Sequence, residues 1–68
     1  MKASEIKKGK WYLVEYLITR KVVKVIDVDE ESGIVYTRRG FFGLIKDEPS
    51  RCIKYEMKRV SFLTKLGF

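Results

Sequence analysis

The chain has 68 residues, of which 15 are Lys or Arg, nine are Asp or Glu and none is His, giving a formal net charge of +6 at pH 7. A chain of this length forms one small domain, and one cysteine without histidine excludes an intrachain disulfide and a zinc cluster. Because histidine is the commonest general base, its absence leads us to expect no enzymatic activity, and we expect no cofactor.

The N-terminal third begins with a polar segment, residues 1–9, in which Ser4 is a candidate cap for a short turn and Ile6 is the one core anchor. Residues 10–18, KWYLVEYLI, predict a first strand because aromatic and β-branched residues dominate this segment. Both faces of that strand are largely apolar, so we expect it to be central or to have one face covered.

The second and third strands are predicted to form a hairpin. Residues 21–28 are rich in β-branched side chains, and a short connection at residues 19–20 precedes them. Residues 29–33, DEESG, predict a loop in which Gly33 adopts a positive φ. The third strand is then predicted at residues 34–39.

Two more strands are predicted in the second half of the chain. Residues 41–46 form the fourth, and residues 47–50, DEPS, form a turn that contains Pro49. Residues 51–58 alternate between apolar and polar side chains, which predicts a fifth strand. Its apolar face is predicted to hold Ile53, Tyr55 and Met57.

The C-terminal tail, residues 61–68, has apolar side chains at helical spacing, with Ser61 as a candidate N-cap and Gly67 as a candidate stop. These features predict a short helix or turn. An alternative is one continuous helix over residues 49–67. We favour the strand followed by a short helix.

The predicted architecture is mainly β, a small SH3-like barrel of four to five antiparallel strands with a short C-terminal helix or turn. Residues 10–60 form the barrel within a single domain, residues 1–68. Tight connections in so short a chain favour a closed or nearly closed barrel, because closure removes exposed strand edges.

Residues 6–37, IKKGKWYLVEYLITRKVVKVIDVDEESGIVYT, resemble the SH3-like small barrels of the Tudor and KOW families. The positions that carry the resemblance are Gly9, Val25, Ile26, Asp27, Gly33 and Val35. A KOW motif has a glycine that opens its second strand, whereas this chain has Thr19-Arg20-Lys21 there. The resemblance implies a binding module for nucleic acid or for a protein tail.

The charges are unevenly distributed along the chain. Six of the nine acids lie in two short stretches, namely Asp27, Asp29, Glu30, Glu31, Asp47 and Glu48. We expect both stretches to be loops, the first of them to lie away from any binding face, and the rest of the molecule to be strongly cationic. This distribution indicates a polyanionic partner.

The segment TRRGFFGLIK, residues 37–46, combines two arginines with two phenylalanines. Gly40 predicts a bend or bulge between them. Because Phe41 and Phe42 are adjacent, a regular strand would send their rings to opposite faces. At most one ring is then free to stack on a nucleobase, and the other packs in the protein.

These observations predict a small, non-catalytic, basic module that binds DNA or RNA through phosphate contacts with little base readout. The candidate nucleic-acid-binding residues are Arg38, Arg39, Phe41, Phe42, Lys46, Arg51, Lys54 and Lys58. Lys24 and Lys46 are predicted to join the fifth strand in one basic stripe. A single cysteine and the lack of a long apolar run predict a soluble cytoplasmic protein. The alternative is a protein-interaction module, a small inhibitor or adaptor suited to a virus or mobile element, that docks on an acidic or strand-edge partner.

Overall fold

The computed structural model describes residues 1–41 and 43–66. Its strands are β1 (Trp11–Glu15), β2 (Arg20–Asp29), β3 (Ile34–Arg38), β4 (Ile45–Pro49) and β5 (Ile53–Glu56). Its helical segments are two 3₁₀ turns, Ala3–Glu5 and Ser50–Cys52, and one helix, α1 (Phe62–Lys65). The predicted mainly β fold is therefore confirmed.

The five strands form one antiparallel sheet in the order β4-β3-β2-β1-β5. β4 and β5 are its two edges and do not pair with each other, so the sheet is open and the predicted closure is not found. β5 has only four residues and carries a bulge, which leaves little regular backbone for a further pairing. The molecule is nevertheless compact, with a radius of gyration of 10.9 Å.

One face of the sheet supplies the core. Its buried members are Ile6, Tyr12, Val14, Val23, Val25, Val35 and Ile53. Val14 is wholly buried, and burying a side chain of this kind stabilises a fold by roughly 1.5–3 kcal/mol. The hydroxyl of Tyr12 accepts a hydrogen bond from the backbone N–H of Lys7 at 2.9 Å, so its polar end is satisfied as the ring is buried.

The polar N-terminal segment packs against this core. Ile6 is buried, as predicted. Ser4 does not cap the 3₁₀ turn, because it lies inside that turn and Lys2 precedes it. The backbone N–H of Lys2 donates to the Glu5 carboxylate at 3.1 Å, which closes the turn from its other end.

The β1–β2 hairpin is shorter than predicted. Glu15 pairs with Arg20, and their side chains form an ion pair at 2.6 Å between Oε2 and Nε. The backbone N–H of Tyr16 donates to the carbonyl of Thr19 at 2.8 Å. This register leaves residues 17–18 as the turn, so the prediction of a strand through residue 18 is wrong, as is the connection at residues 19–20.

The β2–β3 hairpin is confirmed, with its loop between Asp29 and Ile34. Gly33 has φ +73°, the left-handed conformation that glycine adopts without a steric cost. The Asp29 carboxylate accepts the backbone N–H of Glu31 at 3.2 Å and so tightens the loop. The β2–β3 ladder has a register shift at Ile26, a bulge within β2.

β4 lies further along the chain than predicted. Its pairing with β3 runs from Ile45 opposite Arg38 to Pro49 opposite Ile34, so residues 47–49 are strand rather than turn. A proline is tolerated there because β4 is an edge strand, which has one unpaired side. Among the described residues of the predicted strand at 41–46, only Ile45 and Lys46 belong to β4, and the predicted turn at residues 47–50 is wrong.

β5 is interrupted by a bulge at Lys54, which changes the face on which its side chains lie. Ile53 is paired with Val14 and is buried, whereas Tyr55 is paired with Leu13 and is exposed. The predicted common face for Ile53 and Tyr55 is therefore wrong, because a bulge reverses the alternation of side chains.

The strand-then-helix interpretation of the C-terminal part is confirmed. Ser61 is the N-cap of α1, and its hydroxyl accepts the backbone N–H of Thr64 at 3.2 Å. The predicted stop at Gly67 lies outside the described residues. In residues 1–41 and 43–66, no helix has the length and apolar character needed to cross a bilayer.

Candidate functional site

The core face of the sheet becomes cationic at one end. Lys21 lies across from Val14, and Thr37 lies between Val25 and Lys46 in the strand pairings. Side chains directly opposite each other in a sheet share a face, so Lys21 and Lys46 lie on the side that also carries the core. The valines of this face thus give way to lysines towards the β1–β2 turn.

A cleft of about 480 Å³ opens at this end of the core face. Its lining residues are Lys21, Val23, Thr37, Arg39, Gly43, Leu44, Lys46 and Leu66. Three of these are cations and three are aliphatic, so the cleft combines a positive surface with an apolar wall. A volume of this size is typical of small-molecule sites in proteins.

Beneath the cleft, Lys21 forms an ion pair with a buried carboxylate. Its Nζ lies 2.8 Å from Oε1 of Glu48, and the two side chains are 18% and 3% exposed. Burial raises the pKa of the Glu48 carboxyl, because it disfavours the charged form. The second oxygen, Oε2, is buried and has no hydrogen-bond partner among the described residues.

The cations of the cleft repel one another. Burial lowers the pKa of the Lys21 ammonium, and the charges of Lys46 and Arg39 lower it further. The buried Glu48 carboxylate compensates one of the three positive charges. The exposed side of the cleft therefore remains positive. An anion bound there would relieve the repulsion between the three cations.

A second cavity of about 270 Å³ shares two lining residues with the cleft and takes its apolar wall from the other face of β2. It is lined by Leu13, Arg20, Lys21, Val22, Arg39 and Thr64. Lys21 and Arg39 line both cavities and therefore stand between them. The Lys21 ammonium also lies 5.7 Å from the centroid of the Tyr16 ring, a cation–π distance that helps to hold it there.

Two of the predicted site residues, Arg39 and Lys46, meet in the cleft. Arg38 does not join them, because it pairs with Lys24 and Ile45 on the opposite face of the sheet. Its Nε is buried and lacks a hydrogen-bond partner in the part of the chain that the structure describes. Side chains along β3 alternate between the two faces of the sheet, and a bend follows Arg38. Arg38 and Arg39 therefore lie on different surfaces.

Phe41 does not lie in a strand, although a strand was predicted there. β3 ends at Arg38, and Gly40 follows with φ +78°, so the predicted bend is present. Phe41 lies in the loop after this bend and is 44% exposed. Phe42 lies outside the described residues, so its predicted role stays a prediction.

The three cations predicted on the fifth strand are spread over different elements. Arg51 lies in the second 3₁₀ turn, Lys54 at the bulge of β5 and Lys58 after that strand, and all three are exposed. The predicted stripe does not form a single surface, because Lys24 lies on the opposite face from Lys46.

The acidic residues are placed partly as expected. The loop between Asp29 and Ile34 follows the last residue of β2. Lys21 and the cleft are at the other end of that strand. The second acidic stretch is not a loop, since Asp47 and Glu48 belong to β4. Glu48 is buried because its position opposite Val35 puts it on the core face.

Lys21 is the main residue of the cleft that the sequence analysis missed. The order Lys21-Val22-Val23 places the lysine on the same face as Val23, and this alternation was visible in the sequence. Leu44 and Leu66 carried no comparable signal, because the fold brings them to the cleft from a loop and from the end of α1. Trp11 is half-buried on the outer face, paired with Lys24, rather than in the core.

In comparisons with known proteins, no family model, curated sequence or solved structure matches this chain. The functional argument therefore depends on the chemistry of the cleft itself.

Proposed function

We propose that this protein is a small, non-catalytic module that binds nucleic acid by holding phosphates between Lys21, Arg39 and Lys46. The observation that carries this proposal is the convergence of three cations on one cleft in a protein of net charge +6. Lysine and arginine are the residues that neutralise nucleic-acid phosphates and release counterions. The cleft offers several such donors, and its lining within residues 1–41 and 43–66 includes no carboxylate.

The fold supports the same proposal. A four-stranded antiparallel meander, β1 to β4, whose first strand also pairs with the last strand, β5, is in keeping with the SH3-like resemblance of residues 6–37. We place the protein in the cytoplasm, where a reducing environment would keep the free thiol of Cys52 reduced. Sequence readout should be limited, because charges that hold phosphates carry no base information.

The test is binding of fluorescently labelled DNA and RNA, measured by anisotropy at low and moderate salt. The variant Arg39→Gln/Lys46→Gln removes two charges from the cleft, and Arg51→Gln/Lys58→Gln removes two exposed charges elsewhere. We expect the first pair to weaken binding at least about tenfold more than the second, because only the first lies in the cleft. Equal losses would assign binding to net charge alone, and no binding to either polymer at low salt would refute the proposal.

The alternative, a protein-interaction module, is favoured by one observation. Leu17 and Ile18 form the turn of the β1–β2 hairpin and are 103% and 98% exposed, although turns are usually polar. The open edges of β4 and β5 also offer backbone groups for strand addition. If this alternative holds, a partner captured after nuclease treatment should be lost on Leu17→Ser/Ile18→Ser and retained on Arg39→Gln/Lys46→Gln.

A further inference from the structure

We propose that the cleft and the second cavity hold two successive nucleotides of a single strand, with the phosphate that links them between Lys21 and Arg39. This inference rests on the proposed nucleic-acid binding and adds the class of polymer. Its basis is that the two cavities share these two cations and lie on the two faces of β2 at residues 20–23, where β3 does not pair with it.

The position of the shared cations fits a linking phosphate. In a single strand, each phosphate lies between two nucleosides, so cations between two cavities face the phosphate when each cavity holds one nucleoside. Lys46 lines only the cleft, and Arg20 lines only the second cavity. These residues are placed to contact the phosphates on either side of the linking one.

The apolar walls favour unpaired bases. The cleft offers Val23, Leu44 and Leu66, and the second cavity offers Leu13 and Val22. Bases in a duplex are stacked and paired, and they present only their edges in the grooves. Bases of a single strand are free to leave the stack and bury their faces against protein side chains.

The negative charge of Glu48 is compatible with a phosphate bound between Lys21 and Arg39. A carboxylate in an anion site would repel phosphate, but the Glu48 side chain is only 3% exposed and its Oε1 is paired with the Lys21 ammonium. The pair fixes Lys21 between the two cavities, where the linking phosphate is proposed to bind. Glu48 is therefore a positioning residue for that cation.

The experiment compares three labelled probes of about ten nucleotides at the same low salt. They are single-stranded oligothymidylate, a duplex of equal length, and a single strand with abasic sites throughout. We expect oligothymidylate to bind at least about tenfold more tightly than either of the others, because only it has free bases for the apolar walls. Duplex or abasic binding as tight as oligothymidylate would overturn this inference and leave the proposed function standing. Failure of all three probes, and of single-stranded and duplex RNA of the same length, to bind would overturn both.

Two leucine variants test the apolar wall without removing a core side chain. Leu44 lines the cleft and Leu17 lies in the hairpin turn, and both side chains are largely exposed. We expect Leu44→Ala to weaken oligothymidylate binding about threefold or more. Leu17→Ala, outside the cleft, should leave oligothymidylate binding unchanged. Unchanged oligothymidylate binding by Leu44→Ala would overturn the inference.

Discussion

The ammonium of Lys21 lies 2.8 Å from the carboxylate of Glu48, and this pair joins the proposed binding cleft to the core of the fold. Glu48 is almost wholly buried, while Lys21 reaches the cleft and meets Arg39 and Lys46 there. Burial disfavours the charge on each partner, so it raises the pKa of the Glu48 carboxyl and lowers the pKa of the Lys21 ammonium. Each charge is therefore tolerated mainly because the other is present.

The first prediction concerns the removal of one partner of this pair. Lys21→Met leaves Glu48 buried without its counterion, and we expect the free energy of unfolding to fall by about 3–5 kcal/mol at pH 7. Lys21→Met/Glu48→Leu removes both charges and should recover most of that loss. Urea denaturation followed by circular dichroism measures both variants. A double variant no more stable than Lys21→Met would contradict the role assigned to the pair.

The second prediction is a pH dependence of the same variant. The folded-state pKa of Glu48 is raised above the ordinary value of 4.5, so its stabilising contribution is present below that value and is lost as pH rises through the folded pKa. Lys21→Met removes the counterion and should raise this pKa further. The stability difference from the wild type should therefore shrink as pH falls from 7 to about 4. Unfolding free energies across this range test it, and a constant difference would contradict it.

The third prediction concerns the loop that carries Arg39. A Cβ at Gly43 would lie 2.5 Å from the backbone oxygen of Arg39, closer than Cβ atoms approach non-bonded atoms in folded proteins. We expect Gly43→Ala to destabilise the fold by about 1–3 kcal/mol and to weaken nucleic-acid binding by displacing Arg39. Gly9→Ala is a suitable control, because Gly9 has φ +79° but open space around it. It should cost about 1 kcal/mol from backbone conformation without affecting binding. Equal effects on binding would show that the Gly43 contact does not position Arg39.

The fourth prediction compares the contributions of the hairpin turn and of the core to the free energy of unfolding. Because residues 17–18 are wholly exposed, Leu17→Ser/Ile18→Ser should change the free energy of unfolding by no more than about 0.5 kcal/mol. Val14 lies nearby in β1 but is wholly buried, and Val14→Ala should cost about 2–3 kcal/mol. Thermal denaturation distinguishes the two. A large loss from the turn variant would mean that these side chains are covered in solution.

The fifth prediction is a salt dependence. Each phosphate contact to a single strand contributes about 0.7 to the slope of log affinity against log salt. Arg39→Gln should therefore reduce that slope by about 0.7, whereas Arg51→Gln should leave it unchanged because Arg51 lies in a 3₁₀ turn and does not line the cleft. Binding titrations at four or more salt concentrations give the slopes. The same slope for both variants would remove Arg39 from the phosphate contacts.

Much of the fold was predictable because its signals are local. Gly33 marked the β2–β3 loop through its need for positive φ, and Ser61 marked the start of α1 through its capping hydroxyl. The strand boundaries were less predictable. β4 was misplaced because Pro49 indicated a turn, whereas an unpaired edge accommodates it in a strand.

The candidate site was only partly predictable. Arg39 and Lys46 were identified from their charge and their neighbours, and the cleft does bring them together. Lys21 was not predicted because its role depends on the Glu48 carboxylate. Glu48 is far from Lys21 in the sequence and was predicted to lie in a loop. Arg38 was grouped with Arg39 because they are adjacent, but the fold sends them to different surfaces.

The sequence by itself determined the mainly β class, the positive charge and the β2–β3 hairpin, since these follow from composition and from short-range backbone preferences. The tertiary structure alone decided which cations share a face. That outcome depends on strand register, which puts Lys21 and Lys46 on the core face and Lys24 on the other, and on the bulge at Lys54, which reverses the direction of the side chains beyond it. The cleft exists because pairing across the sheet, not proximity along the chain, puts Lys21 and Lys46 on one face, where Arg39 joins them from the loop after β3.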